Sequence, residues 1–208
     1  MKKTITITIS RQFGSNGREI GRKLAEYLDI GYYNKEIMEK IAKDMGVSSD
    51  FFNEDNQNED GLYSISNRKL RSFGSIAELS VNSQVFERAT DLICGIAQRE
   101  SSVIVGRCAD YALEDNENLL SVFIHADLDA RIRRIARIYD LTDAKAKDMI
   151  MKTDKKRASY YNYYSNKKWG SAESYHMSLD SSVLGIDGTA EAIEKLVELK
   201  ERDSNKKL

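Results

Sequence analysis

The chain has 208 residues, with 32 basic and 33 acidic side chains and a net charge of −1 at pH 7. That balance argues against a protein that coats nucleic acid by bulk charge, and the length suits one domain with a sizeable core. The longest apolar runs, such as 119–124, fall far short of the roughly 20 residues that a membrane-spanning helix needs, so none is expected.

In chain order, Thr4–Ser10 alternates threonine with isoleucine and is β-branched up to Ile9, which predicts a strand covered on at least one face. No small-residue cleavage site follows it, so a strand is expected and not a signal peptide. After a glycine-rich turn, Ile20, Leu24 and Leu28 recur at helical spacing. Gly31-Tyr32-Tyr33 then leads to a helix expected over 35–45, and the polar segment 48–72 has too few apolar residues to assign. Leu79, Phe86, Ala89, Ile93 and Ile96 predict a long helix over 76–99. The apolar runs 102–106 and 119–126 have the length and content of strands buried on both faces of a parallel sheet. Leu128, Ile132, Ile135 and Tyr139 share one face of a helix over 127–139, and a polar helix runs from Thr142 into 152–164. A last strand is expected over 176–179, a closing helix over 190–199 and a frayed tail from Arg202. Strands separated by helices imply right-handed crossovers and a parallel sheet with helices on both sides.

Cys94 and Cys108 lack CxxC spacing and a nearby histidine, while His125 and His176 stand alone. Neither a zinc site nor a disulfide framework is expected, and a reducing cytoplasm is the expected location. Acidic and amide residues collect over 53–60 and basic ones over 131–137 and 152–157. Such runs are ordinarily solvated helix faces.

The densest signal is Ile9-Ser10-Arg11-Gln12-Phe13-Gly14-Ser15-Asn16-Gly17-Arg18-Glu19-Ile20. A strand feeding a Gly-rich loop that opens a helix gathers backbone N–H groups around one small volume, which suits an anion. Gln12 to Glu19 overlays the phosphate-binding pattern GxxxxGK[ST] as QxxxxGRE. Gln12 replaces the first glycine, so the loop is expected to enter at a different angle. Arg18 keeps the positive charge but exchanges a compact ammonium for a planar fork. Glu19 replaces the hydroxyl that holds Mg²⁺, with a carboxylate that can bind the ion and also repels phosphate. A turn that only joins strand to helix, with Glu19 as a favourable first-turn acid, is the competing reading.

From Ile7 to about Leu196 the chain resembles the cytidylate kinase-like family, a divergent branch of the nucleoside monophosphate kinases. The resemblance is carried, in the family's order, by ISRQFGSNGREIGRKLAE, VIVGRCADYAL, VFIHADLDARIRRI, KKRASYYNYYSNKKWG and SYHMSLDSSVLGIDGTAEAI. It implies an α/β fold of three layers, P-loop NTPase-like, with a five-stranded parallel sheet and a helical lid. The whole chain 1–208 is then one kinase-like domain, with a monophosphate-binding segment about 34–100, opening at Asn34 and Lys35, and a lid about 142–172.

The implied activity is ATP-dependent transfer of the γ-phosphoryl group to a nucleoside monophosphate, CMP or dCMP. ATP phosphates are expected on Gly14, Ser15, Asn16, Gly17, Arg18, Glu19 and Ile20, with Mg²⁺ held through Glu19 or water. Arg107 lies just beyond a strand's C-terminal end, where ligands bind in open α/β sheets. It matches the arginine of the family's GRD motif, which contacts the monophosphate; Cys108 replaces the aspartate and leaves Asp110 as substitute. A salt-bridging arginine is the alternative there. In the lid, Arg157 is the best match to the arginines that close on the phosphates, beside Lys155 and Lys156. Tyr160 and Tyr161 either stack on a base or pack against the helix, and Arg131 and Arg134 either face the phosphates or lie on an exposed face. Arg18, Arg107 and Arg157 form the expected catalytic set, and no general base is needed because the acceptor phosphate is already an oxyanion. Two alternatives stand beside this: a non-catalytic nucleotide or anion sensor, suggested by Arg18-Glu19, and a kinase for another small acceptor with Asp110 as base. No nucleic acid or membrane partner is expected, and nothing in the sequence indicates an oligomeric state.

Overall fold

The computed structural model describes residues 4–34, 39, 43 and 76–206. The segment 48–72, Lys35 and most of the helix expected over 35–45 lie outside the described residues. Five strands, β1 (Thr6–Arg11), β2 (Gly31–Tyr33), β3 (Ser102–Val105), β4 (Leu119–His125) and β5 (Met177–Asp180), form one sheet in the order β2-β3-β1-β4-β5. Every pairing is parallel, with Ile7 opposite Val103 on one side and Leu120 on the other.

Helices α1 (Gly17–Leu28), α2 (Ile76–Arg99), α3 (Ala109–Ala112), α4 (Leu128–Tyr139), α5 (Asp143–Ser165) and α6 (Ser181–Lys206) connect and cover these strands. All six residues of β1 are buried, as its central place requires, so the strand expected to be covered on at least one face is covered on both. Ile7 and Ile9 pack with Ile20 and Leu24 of α1 and with Ile193 and Val197 of α6. On the opposite face, Ile104 and Leu119 meet Val85, Ala89, Ile93 and Ile96 of α2. An aromatic cluster of Phe123, Tyr161 and Tyr175 joins α5 to the sheet.

Local chemistry sets the helix starts. Asp127 caps α4 by accepting the Ala130 N–H at 3.0 Å, and Thr142 caps α5 through the Lys145 N–H at 3.4 Å. The segment expected as a lid, about 142–172, is led by α5, one uninterrupted helix of 23 residues. The tail expected to fray from Arg202 instead continues as helix to Lys206, and the break comes earlier, at Gly185, whose φ of 67° and ψ of −171° are not helical. Among the described residues no helix is long and apolar enough to cross a membrane.

Candidate phosphate-binding site

The parallel ladder carries β1 directly into the glycine-rich loop. The Gln12 N–H donates to the Ile124 carbonyl at 3.0 Å, and Gln12 Oε1 accepts the Ala126 N–H at 3.2 Å. Where the phosphate-loop pattern has its first glycine, this chain thus has a side chain that ties the loop to the end of β4. Ser15 is wholly buried, its hydroxyl directed at the carbonyls of Gln12 (2.9 Å) and Ile124 (3.1 Å), and its own carbonyl accepts from the Ser181 hydroxyl at 2.8 Å. The loop then turns through left-handed backbone at Gly14 (φ 82°) and Asn16 (φ 61°) to open α1. Asn16 makes no side-chain cap, and its buried Oδ1 has no hydrogen-bond partner among the described residues. The first-turn amides of α1 therefore face the loop without a side-chain cap from that residue. Ile20 is the exception: its N–H closes the first helical bond to the Asn16 carbonyl, and its side chain lies in the core.

Around this mouth is a cavity of about 180 Å³ whose lining includes Arg11, Arg18, Arg134 and Arg157 against one acid, Glu19. Arg157, 9% exposed, reaches in from α5: its Nη1 donates to the Arg11 carbonyl at 3.1 Å and its guanidinium lies 5.6 Å from the Phe13 ring centre. Arg131 is turned to a different task. Its Nη1 bonds Asp154 Oδ2 at 2.6 Å and the Phe13 carbonyl at 3.3 Å, while Asp154 Oδ1 accepts the Phe13 N–H at 2.7 Å. Both backbone polar groups of one loop residue, Phe13, are thus clamped by α4 and α5. Arg134 pairs with Glu19 at 2.6 Å. Lys155 is exposed and Lys156 partly so, and neither lines the cavity.

Arg107 follows β3 in a run of three left-handed residues, Gly106 (φ 82°), Arg107 (φ 61°) and Cys108 (φ 51°). The Gly106 N–H continues the sheet to the Ile9 carbonyl at 3.0 Å. Strained non-glycine backbone at a strand's C-terminal end is a feature of ligand sites. Burial pushes the Cys108 thiol well above its usual range, which leaves it without thiolate character.

Asp110 stands elsewhere. It is buried, accepts the Tyr161 hydroxyl at 2.6 Å and lines a second cavity of about 400 Å³ together with Lys167, His176 and Lys200. Burial raises its carboxyl pKa above the ordinary value, the Tyr161 hydrogen bond working against the rise. Tyr160 packs on Phe86 and Tyr164, with ring centres 6.4 and 4.7 Å away, and Phe86 stacks on Tyr164 at 4.1 Å. Among the described residues no three His, Cys, Asp or Glu side chains are grouped to hold a metal ion.

Sequence reasoning missed two residues of this site. Arg11, 6% exposed, ends a strand that is otherwise apolar or hydroxylic, and a full charge closing a buried strand is the signal that could have found it. Asp154 is the acid inside the basic run 152–157 and looked like part of a solvated face.

Residues 6–183 match the sequence model of the cytidylate kinase-like family. Comparison with curated proteins finds no match. Among solved structures, an uncharacterized protein from Eubacterium ventriosum is 28% identical, with a TM-score of 0.71 over 94% of this chain and 99% of that one. The shikimate kinase of Bacteroides thetaiotaomicron is 15% identical with a TM-score of 0.54, covering 93% of this chain and 98% of its own. The Acinetobacter baumannii shikimate kinase, solved with shikimate, is 14% identical with a TM-score of 0.53 and 94% of each chain covered. At such identities these two enzymes speak to the fold alone, and that fold is the P-loop kinase fold.

Proposed function

The chain belongs to the cytidylate kinase-like family, and from that premise we propose that it is an ATP-dependent phosphotransferase acting on a nucleoside monophosphate, CMP or dCMP. The observation that carries this reading is the gathering of Arg11, Arg18, Arg134 and Arg157, against the single acid Glu19, around the mouth of a helix that opens on a phosphate loop. Phosphoryl transfer needs alignment, charge neutralisation and exclusion of water more than covalent help, and convergent guanidinium groups supply the second.

In this reading Gly14 to Glu19 cradle the ATP phosphates with main-chain amides, and Arg18 lies against the β and γ oxygens. Asn16, whose buried amide oxygen lacks a partner, is a further polar group for that cradle. Arg107, on its left-handed turn beyond β3, grips the acceptor phosphate. Arg157 neutralises the transferring group, held at the loop by its bond to the Arg11 carbonyl. Lys155 and Lys156 attract the substrate from outside the cavity, Tyr160 shapes the lid, and Asp110 holds the lid helix through Tyr161. The donor set fits Mg²⁺: Glu19 offers a hard carboxylate at the cavity, and the ion ordinarily takes one or two carboxylates plus substrate phosphate oxygens. When bound, it neutralises phosphate charge. ATP chemistry and two free cysteines accord with a cytoplasmic setting.

The Glu19–Arg134 pair favours one alternative, a nucleotide sensor without transfer, because it occupies the acid that Mg²⁺ requires. A kinase for a hydroxyl acceptor is less well supported, since its base, Asp110, is buried on Tyr161. A coupled ADP-release assay over a panel of monophosphates decides among these. The kinase reading fails if no acceptor raises ADP production above ATP alone while the protein stays folded.

A further inference from the structure

Glu19 and Arg134 line the same cavity from different elements, the first turn of α1 and the middle of α4, and Arg134 Nη2 donates to Glu19 Oε1 at 2.6 Å. The contact is single and not a two-bond fork, and the side chains keep 41% and 21% exposure. An ion pair so open to water contributes little to stability and is readily exchanged. Its position gives it another use. A bare carboxylate beside the first-turn amides repels a polyanion, and Arg134 cancels that charge while the cavity holds none.

On the phosphotransferase reading above, we propose that the Glu19–Arg134 pair is a hand-over device for the nucleotide and its cation. The entering triphosphate draws the Arg134 guanidinium onto its oxygens, for which the planar fork is the better match. Glu19, so released, becomes the chain's oxygen ligand to the Mg²⁺ that the nucleotide carries. No covalent bond is made or broken and no proton moves: the Arg134–Glu19 hydrogen bond is exchanged for guanidinium–phosphate hydrogen bonds and a carboxylate–metal contact, the pair's cation going to the phosphates and its anion to the metal. Arg134 thereby becomes a phosphate-binding residue, and Glu19 couples metal affinity to nucleotide affinity.

Calorimetric titration of ATP into the full chain, with and without Mg²⁺, tests this on the wild type, Glu19→Gln and Arg134→Gln. In the wild type Mg²⁺ is expected to tighten ATP binding by about tenfold. Glu19→Gln binds metal-free ATP more tightly, since the repulsion is gone, and its gain from Mg²⁺ falls below about twofold. Arg134→Gln leaves Glu19 uncompensated, weakens metal-free ATP binding most, and its gain from Mg²⁺ grows. Opposite movement of the two gains is the signature, because a merely structural pair shifts both variants alike. The proposal is overturned if Glu19→Gln keeps the wild-type gain or if both gains move in one direction. Should the wild type bind no ATP, the phosphotransferase reading falls as well; binding and turnover with unaltered gains removes the hand-over alone. Thermal melts confirm folding, and Glu19→Asp, if Glu19→Gln is unfolded, is expected to retain part of the Mg²⁺ gain that Arg134→Gln exaggerates.

Discussion

The guanidinium of Arg11 fills the space that a side chain on Gly106 would need, with Nη1 nearer to that Cβ position than any real Cβ approaches a heavy atom. At its other end the same side chain lies against Gly17, where a Cβ would stand 2.6 Å from Arg11 Cβ and 2.8 Å from its Cγ. One buried arginine therefore crowds a glycine in the glycine-rich loop and another in the turn that carries Arg107.

Gly17→Ala is expected to destabilise the fold by about 1–3 kcal/mol through overpacking against the Cβ and Cγ of Arg11. At Gly106 the crowding group is the movable guanidinium end, and alanine there is expected to cost about 1–3 kcal/mol through left-handed backbone strain, its φ being 82°. Among the described residues nothing lies within 4 Å of a Cβ built at Gly95, in α2, and Gly95→Ala is expected to stabilise by about 0.5–1 kcal/mol. Thermal denaturation of the three variants checks this; equal effects would refute the packing argument.

Asp154 balances the buried Arg131, with side-chain exposures of 15% and 7%. Asp154→Ala leaves that guanidinium uncompensated and is expected to cost roughly 3–5 kcal/mol in urea unfolding. Since the Phe13 N–H loses its acceptor too, amide hydrogen exchange at Phe13 should accelerate beyond what the global destabilisation explains. Unchanged local exchange would show that the clamp does not order the loop.

The pH dependence follows from Asp110. Its pKa is raised above the usual 3.8, chiefly by burial. A group raised in the folded state contributes stability that is complete below its unfolded value and is lost as pH rises through the folded one. Asp110→Asn keeps an acceptor for Tyr161 and removes that loss, so its melting temperature should gain on the wild type as pH rises above the ordinary carboxyl value of 3.8. His176 runs the other way: burial first, then Lys200 and Lys167, lower its pKa, and its share is lost as pH falls. Paired melts of Asp110→Asn and His176→Gln should therefore diverge from the wild type in opposite directions.

Arg157→Lys keeps the charge but not the planar group that bonds the Arg11 carbonyl while lying over Phe13. A fall of about 10²-fold in kcat/KM with a near-native melting temperature is expected, the size of losing one aligned donor to developing charge. Steady-state kinetics at saturating ATP measure it. A variant as active as the wild type would remove Arg157 from the transfer step.

The chain's own pattern determined the architecture because burial is periodic: the runs 102–106 and 119–126 and the alternation after Thr4 could satisfy their backbone only inside a sheet covered on both faces. Local spacing likewise marked the loop from Gln12 to Glu19, since a turn from strand into helix is built from neighbours in sequence. Partners far apart along the chain were not legible. Nothing near Arg131 announces that it serves Asp154 and Phe13 while Arg134, one turn on, serves Glu19. Nor does any spacing tell that Asp110, two residues past Cys108, turns away to Tyr161. A helix places charges on a face by period, but which charge is neutralised, buried or left for a ligand depends on what another element brings within about 3 Å, and only the packed structure sets that distance.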